Sequence, residues 1–303
     1  MHQMIEQVLP ATLPDDVSGL APPAWVTSWV GRHATTMTTA PSVNLTLRAG
    51  TTATLVTAIA PAARQLGADA FQRLVQGVYD RIAIALRQSD HQHIVRMWNH
   101  VPGIGEAMGD DVDRYMVFNA GRHAAMTNWF GAALARQTPA ASGVGHEGDA
   151  FVVHALATAS GGEPVENPAQ VSAYRYSKRY GPMPPCFARA TRTLAPRQAL
   201  MISGTAAITG EESRYIGQPH RQFDLAVDHL RTLVWRVMPA VVEPLAHLAH
   251  VRVYVPRAAG LATVEALAHA TFTRDVQIMP AELCRPDLLV EIEAYADLEE
   301  PNE

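Results

Sequence analysis

Hydrophobic and polar positions in the first half of the chain follow two periods in turn. Short stretches of apolar and β-branched residues are typical of buried strands. Between them, residues 68–88 carry apolar side chains at helical spacing, which predicts an amphipathic helix. A second helix is predicted over 110–130, because acidic residues at its start favour a helix N-terminus. The predicted strands of this half are 44–49, 52–60, 93–101 and 150–158.

The second half repeats the plan. A strand pair or bent strand, a long amphipathic helix, a strand, a shorter helix and two further strands follow one another. This order predicts an α+β fold of two similar small domains, each a mixed sheet with helices packed on one face. The predicted strands are 199–208, 248–256, 275–283 and 288–296, and the predicted helices are 222–245 and 261–272.

Turn-forming residues suggest where these domains begin and end. Residues 1–24 are rich in proline and aspartate and are predicted to form an irregular lead-in. The stretch "SGGEPVENPAQ" (160–170) is the best candidate boundary. We therefore expect an N-terminal α+β domain over 25–165 and a C-terminal domain over 166–303.

Composition and charge exclude several classes of function. A formal net charge of −5 with no basic block argues against a nucleic-acid surface. No apolar run is long enough for a membrane span, and no basic start leads into an apolar segment, so we expect neither a membrane anchor nor a signal peptide. Cys186 and Cys284 lie far apart without metal-ligand spacing, which predicts reduced thiols in a cytoplasmic protein.

The segment "CRPDLLVEIE" (284–293) contains two glutamates that are candidates for a catalytic role. Its last six residues read as a strand in which Glu291 and Glu293 share one face. Two carboxylates about 7 Å apart repel unless water or a cation separates them. The pair is explained either by solubility or by a catalytic role, and the pattern alone leaves both open.

Two further stretches carry candidate binding residues. In "YRYSKRYGPMPPCFARA" (174–190), prolines fix the backbone, and Arg175, Arg179 and Arg189 are placed to bind a carboxylate. The alternative is a stiff surface loop with solvated arginines. Tyr115 and Arg122 lie two helical turns apart and so share a face, either to bind an anion or as an ordinary packed pair.

Two other patterns are less informative. His91 and His93 have no third ligand in the sequence, so a solvated pair is favoured over a metal site. The glycines of "GVGHEG" (143–148) follow no clear strand and open no helix, which favours a turn over a phosphate-binding loop.

From about residue 90 to the C-terminus, the chain resembles the chorismatases, with their 3-hydroxybenzoate synthase members. The stretches that carry the resemblance are "VRMWNHVPGI" (95–104), "DRYMVFNAGR" (113–122), "PVENPAQVSAYRY" (164–176), "RYGPMPPCFARAT" (179–191), "SGTAAITGEES" (203–213) and "CRPDLLVEIE" (284–293). The C-terminal half is also similar to the reactive-intermediate deaminase (RidA-like) fold.

The resemblance implies cleavage of chorismate with release of pyruvate, without metal or organic cofactor, by a monomer or small homo-oligomer. It implies that Glu291 is the catalytic acid, and that four residues surround the substrate: Tyr115, Arg122, Tyr176 and Arg189. The alternatives are hydrolysis to a dihydroxycyclohexadiene carboxylate, a RidA-like imine deaminase, or a protein that binds small carboxylates.

The same resemblance suggests the product. Gly204 and Cys284 occupy the two positions that distinguish the family's branches, and glycine with cysteine is the pattern of the hydroxybenzoate branch. We therefore expect 3-hydroxybenzoate as the main product, with some 4-hydroxybenzoate, and count Cys284 among the catalytic residues. One departure is Glu211, where the family pattern has histidine, and this acid is a possible change in pocket charge.

Overall fold

A computed structural model describes residues 15–40, 42–257 and 260–298. The first 14 residues of the predicted lead-in lie outside this range. Of the remainder, Asp15–Leu20 forms a 3-10 helix. The two halves that follow each contain one six-stranded sheet.

The first half forms its sheet from six strands, with helices in the connections. Its helices are α1 (Val26–Val30), α2 (Ala68–Arg87), α3 (Arg114–Phe130) and α4 (Leu134–Gln137). Its strands are β1 (His33–Ala40), β2 (Val43–Gly50), β3 (Thr54–Ala60), β4 (His93–Pro102), β5 (Ala107–Gly109), β6 (Val112–Asp113), β7 (Ala140–His146) and β8 (Phe151–Thr158). The sheet order is β1-β2-β3-β8-β4-β7, and β5 pairs with β6 as a separate hairpin.

The second half is built the same way. Its strands are β9 (Glu163–Val165), β10 (Ala190–Thr193), β11 (Ala199–Ala206), β12 (Ile208–Thr209), β13 (Glu212–Ser213), β14 (Leu248–Val255), β15 (Asp275–Pro280) and β16 (Glu291–Asp297). Its helices are α5 (Pro219–Val237) and α6 (Leu261–Thr271). The sheet order, read from its first strand, is β9-β10-β11-β16-β14-β15.

The two sheets have one topology. In each, three strands in sequence order are followed by the last strand of the half and then by the remaining two. In each sheet the last two strands in this order pair in parallel, β4 with β7 and β14 with β15, and the other neighbouring strands pair antiparallel. The predicted α+β fold of two similar domains is therefore confirmed.

Each sheet buries one face under its helices and turns the other toward its partner sheet. Phe71 and Val78 of α2 pack with Met97 in the first core, and Phe223 of α5 packs with Ile292 in the second. A third cluster joins the sheets themselves through Trp98, Leu156, Met201 and Tyr295. A buried ion pair between the sheets, Arg96 with Glu293, also lies at this interface.

Several elements differ from the sequence prediction. The helix expected over 222–245 ends at Val237, two residues before Pro239, because proline cannot continue a helix. The strand expected from residue 288 begins at Glu291, since the Leu288 amide instead donates to the Arg285 carbonyl in a turn. The short strands β9 and β10 and the threonine-rich β1 were not predicted. The second sheet thus begins at Glu163, while the predicted domain bounds themselves remain a prediction.

The stretch expected to be a turn at 143–148 begins inside a strand. Gly143 and Gly145 belong to β7, which pairs in parallel with β4. A Cβ on Gly145 would lie 2.4 Å from Ile104 Cγ2, so close packing explains this glycine. His91 also differs from its prediction, because it is buried and its ring Nδ1 lies 2.9 Å from Thr54 Oγ1.

Candidate active site

A cavity of about 320 Å³ opens where the two sheets meet. Its wall combines α3, strands β7 and β11, the start of β16 and the loops around residues 176–189 and 284–287. All seven residues singled out from the sequence line this cavity: Tyr115, Arg122, Tyr176, Arg189, Gly204, Cys284 and Glu291. The fold thus brings together residues that are as many as 176 positions apart in the chain.

Helix α3 supplies one side of the cavity. Asp113 caps its start by accepting a hydrogen bond from the Met116 amide at 2.8 Å. Two turns of helix then place Tyr115 and Arg122 on the same face. Arg122 is buried and donates to Asn119 Oδ1 at 2.7 Å, whereas its Nε has no hydrogen-bond partner among the described residues.

The proline-rich loop supplies a second arginine. Arg189 Nη2 donates to Tyr176 Oη and to the Val171 carbonyl, each at 2.8 Å. Its Nε is buried and, within the described residues, unpartnered. The guanidinium groups of Arg122 and Arg189 lie 5.8 and 5.2 Å from the Phe187 ring centroid. Two buried cations therefore retain donor capacity toward the same space.

Three acidic residues line the cavity, Asp113, Asp287 and Glu291, and of these Glu291 is the buried one. Its side chain is buried, with the residue only 4% exposed. Burial, followed by the negative charge of Glu293, raises the pKa of Glu291 to about 8. The carboxyl group therefore carries a proton at neutral pH, and it is a weak acid in position to give that proton up.

Burial also decides the question that the paired glutamates raised. Glu293 is 3% exposed and accepts hydrogen bonds from Arg96 Nη2 at 2.7 Å and Trp98 Nε1 at 3.0 Å. Both glutamates face the interface between the sheets rather than water. Solubility does not explain the pair.

Gly204 makes room for the Glu291 carboxyl group. A Cβ at this position would lie 1.9 Å from Glu291 Oε1, well inside any possible contact distance. A side chain here would force the carboxyl group to move. The glycine thus controls where the acid sits, a consequence that its place in the sequence motif did not reveal.

Cys284 lies on the same wall. Burial, followed by the nearby Glu291, raises the pKa of its thiol to about 12. Burial likewise raises the pKa of the Tyr115 phenol. Both groups are therefore neutral hydrogen-bond donors near pH 7, and neither is an anion that would repel a negatively charged ligand.

The structure adds residues that sequence reasoning missed. Arg285 also lines the cavity, with its guanidinium 3.7 Å from the Tyr180 ring centroid. Its Nη1 donates to the Glu211 carbonyl at 2.8 Å, which fixes the loop that follows β12. The clue was its position directly after Cys284 within a motif already quoted.

Three other residues lie outside the cavity lining. Arg175 and Arg179 do not line it, and Arg179 forms an exposed ion pair with Glu212 at 3.1 Å. The Glu211 carboxylate is exposed and accepts hydrogen bonds from Ser177, which lower its pKa. Its charge is therefore not added to the cavity wall.

Neither a metal-ion site nor a membrane-spanning helix is found among the described residues. They contain no group of three histidine, cysteine or acidic side chains arranged to hold a metal ion. Among these same residues, no helix is both long and apolar enough to cross a membrane.

Sequence comparison relates the chain to chorismatases. The family described as "Chorismatase FkbO/Hyg5-like, N-terminal" matches residues 28–157. A 3-hydroxybenzoate synthase from Streptomyces hygroscopicus is 34% identical over 222 residues, or 69% of this chain and 64% of the relative. A chorismatase from the same organism is 33% identical over 71% of this chain and 65% of the relative. The chain thus spans somewhat less than two thirds of these relatives.

Structural comparison agrees. A chorismatase crystal structure at 1.08 Å resolution matches with a TM-score of 0.73 and 29% identity, over 86% of this chain and 78% of that one. A match over 86% of this chain extends into both halves. The chain is therefore similar to chorismatases in both sequence and fold.

Proposed function

We propose that this protein cleaves chorismate with release of pyruvate, and that 3-hydroxybenzoate is its main second product. One observation carries the proposal: the protonated, buried carboxyl group of Glu291 shares a cavity with Arg122 and Arg189. Chorismate carries two carboxylates and an acid-labile enol ether. Its charges match the two cations, and its reactive bond calls for a single proton donor.

The reaction begins with proton transfer. Glu291 gives its proton to the methylene carbon of the enolpyruvyl ether, which leaves an oxocarbenium ion. The resulting carboxylate stabilises that cation across a short distance in a site of low polarity. Arg122 and Arg189 neutralise the substrate carboxylates, which would otherwise repel the carboxylate formed on Glu291.

The atoms balance differently for the two products. In the hydroxybenzoate route the ring hydroxyl attacks the neighbouring ring carbon that carries the ether oxygen, and the bond between that carbon and the ether oxygen breaks as pyruvate leaves. The strained three-membered cyclic ether that forms then opens to a phenol, and the ring loses a proton as it becomes aromatic. The atoms of 3-hydroxybenzoate and pyruvate together then equal those of chorismate. Hydrolysis instead consumes one water and gives the dihydroxycyclohexadiene carboxylate. In both routes Glu291 recovers a proton, from the ring hydroxyl or from water.

Gly204 and Cys284 support the hydroxybenzoate route. The glycine leaves space beside the Glu291 carboxyl group, so that the substrate ring can approach with its own hydroxyl in position. The neutral thiol of Cys284 lies on the same wall. It can donate a proton to the oxygen of the strained cyclic ether as the ether opens, and the thiolate then takes up the proton that the ring loses.

Product analysis tests this assignment. Wild-type protein is expected to give mainly 3-hydroxybenzoate by liquid chromatography, with 4-hydroxybenzoate as a minor product. Cys284→Ala is expected to lower the aromatic yield while chorismate is still consumed. Gly204→Ala is expected to move the Glu291 carboxyl group and raise the share of dihydroxy acid. Dihydroxy acid as the main wild-type product would show that these two positions do not set the outcome.

The raised pKa of Glu291 predicts a pH dependence. Only the protonated form donates, so turnover is expected to be full below the pKa and to fall as pH rises through about 8 in the free enzyme. The limiting slope is about tenfold for each pH unit, as for loss of one essential proton. The check is kcat/KM for chorismate between pH 6 and 9.5. A rise in activity over this range would assign Glu291 a basic role instead.

Substrate choice separates this proposal from its alternatives. Purified protein is incubated with chorismate and, separately, with a short-lived imine generated in the assay. The proposal expects chorismate to disappear and the decay of the imine to match the protein-free blank. Accelerated imine hydrolysis without chorismate loss would favour a deaminase, and saturable binding of chorismate without reaction would favour a carboxylate-binding protein.

A further inference from the structure

Glu293 is tied into a hydrogen-bonded network that reaches the cavity. Its Oε2 accepts from Arg96 Nη2 at 2.7 Å and from the Ser142 hydroxyl, and its Oε1 accepts from Trp98 Nε1 at 3.0 Å. Every one of these partners donates, so the group is bound as an unprotonated carboxylate. It lies outside the cavity lining that contains Glu291.

The network continues to the glycine beside the acid. Ser142 Oγ accepts the Gly204 amide at 3.0 Å while its own hydroxyl donates to Glu293. Gly204 in turn is the residue whose missing side chain leaves room for Glu291 Oε1. Through Ser142, Glu293 therefore fixes the backbone against which the acid rests.

We propose that Glu293 is a positioning residue, which rests on the function proposed above: its fixed negative charge keeps Glu291 in the acid form, and its network holds the Gly204 backbone in place. The two side chains project from the same face of β16, so their charges interact across a buried interface. After proton transfer, the same repulsion favours return of a proton to Glu291, which completes the cycle.

Other groups act on the pair from the surrounding elements. The charged and titratable side chains that face Glu291 and Glu293 are Arg96, Tyr115, Arg189, Arg252, Tyr254 and Cys284. The arginines oppose the effect of Glu293, and the tyrosines and the cysteine are neutral near pH 7. The negative charge of Glu293 outweighs that of any single cation on Glu291.

The test removes the charge and follows pH. Glu293→Gln is expected to move the alkaline limb of the kcat profile about one pH unit toward lower pH. This is the size expected for one charge interaction between carboxylates about 7 Å apart on one face of a strand. Activity at pH 6 is then largely kept, activity at pH 8 falls about fivefold, and KM changes little. A merely structural role would lower kcat by one factor at every pH, and that result would overturn the proposal.

Two companion variants keep the test decisive. Glu293→Gln leaves Arg96 buried without its ion pair and risks misfolding. The double variant Arg96→Met with Glu293→Gln removes both charges, and its alkaline limb is still expected below that of the wild type. Ser142→Ala retains the charge, so it is expected to lower kcat without moving the limb. A matched control, Glu212→Gln, removes an exposed carboxylate and is expected to change neither kcat nor the position of the alkaline limb.

A spectroscopic readout separates this proposal from the function on which it rests. The infrared carbonyl band of protonated Glu291 is assigned by its loss in Glu291→Gln and is titrated in wild type and in Glu293→Gln, without substrate. A band that titrates at lower pH in Glu293→Gln supports the proposal even if chorismate is not turned over. An unchanged titration overturns it even if chorismate cleavage is observed.

Discussion

Glu291→Gln is expected to lower chorismate turnover by on the order of a hundredfold or more while leaving the fold intact. The amide matches the carboxylic acid in size and fits the space beside Gly204, but it has no acidic proton to transfer. Because the acid is neutral at pH 7 in the wild type, the substitution leaves the charge of the cavity unchanged. Substrate binding should therefore persist, and a steady-state comparison should show the loss in kcat rather than in KM.

The same variant is expected to change how stability depends on pH. The folded-state pKa of Glu291 is raised from its usual 4.5 to about 8, so between these values the folded protein holds a proton that the unfolded chain has lost. Its contribution to the free energy of unfolding is fully present below pH 4.5 and is lost as pH rises through about 8. Relative to Glu291→Gln, the wild type should lose up to about 1.4 kcal/mol per pH unit in this window.

Denaturant unfolding at several pH values measures this difference. Parallel stability curves for the two proteins from pH 5 to 8 would contradict a buried, protonated Glu291. Near-wild-type turnover by the glutamine variant would remove Glu291 from the mechanism altogether. The two results are independent, so a failure of the chemistry can be told apart from a failure of the electrostatics.

Arg122→Ala and Arg189→Ala are each expected to raise the KM for chorismate by roughly ten- to a hundredfold, because a buried carboxylate loses a charge-assisted bond of about 1.5–3 kcal/mol. Both guanidinium groups are buried, and their Nε atoms find no partner within the described residues. Lysine should rescue poorly at either position, since its ammonium group cannot form the bidentate contact.

Arg179→Ala is the matched control for these variants. Arg179 comes from the same loop as Arg189, yet its side chain is exposed and pairs with Glu212. It is expected to leave KM and kcat unchanged. Unchanged kinetics in both the Arg122 and the Arg189 variant would show that the substrate binds elsewhere. An equal rise in KM for all three arginines would indicate general electrostatic attraction rather than a specific site.

Local patterns in the sequence predicted much of the fold. The periodicity of 68–88 and the alternation around Glu291 depend on neighbouring residues, and α2 and most of β16 follow from them. The short strands β9 and β10 escaped prediction, because their hydrogen bonds join segments that are distant in the chain. Next to the turn at Leu288, the Leu289 amide likewise donates to the distant Gln222 side chain. Local strand propensity does not predict such pairings.

For the site, the sequence likewise predicted the residues but not their arrangement in space. Motifs similar to those of a known family identified seven residues that the fold gathers around one cavity. Their arrangement was not predictable from the chain, since Arg96 and Glu293 are 197 positions apart and belong to different sheets. The contact of Gly204 with Glu291 likewise depends on the pairing of β11 with β16. Tertiary packing thus decides which acid is neutral and which is charged.

Pyruvate release from chorismate by the purified protein, with no additive, tests the proposed reaction most directly. We expect one pyruvate for each chorismate consumed by the wild type, and release at least about a hundredfold slower by Glu291→Gln under the same conditions. Chorismate left intact by correctly folded wild-type protein, or pyruvate released equally fast by both proteins, would contradict the proposed reaction.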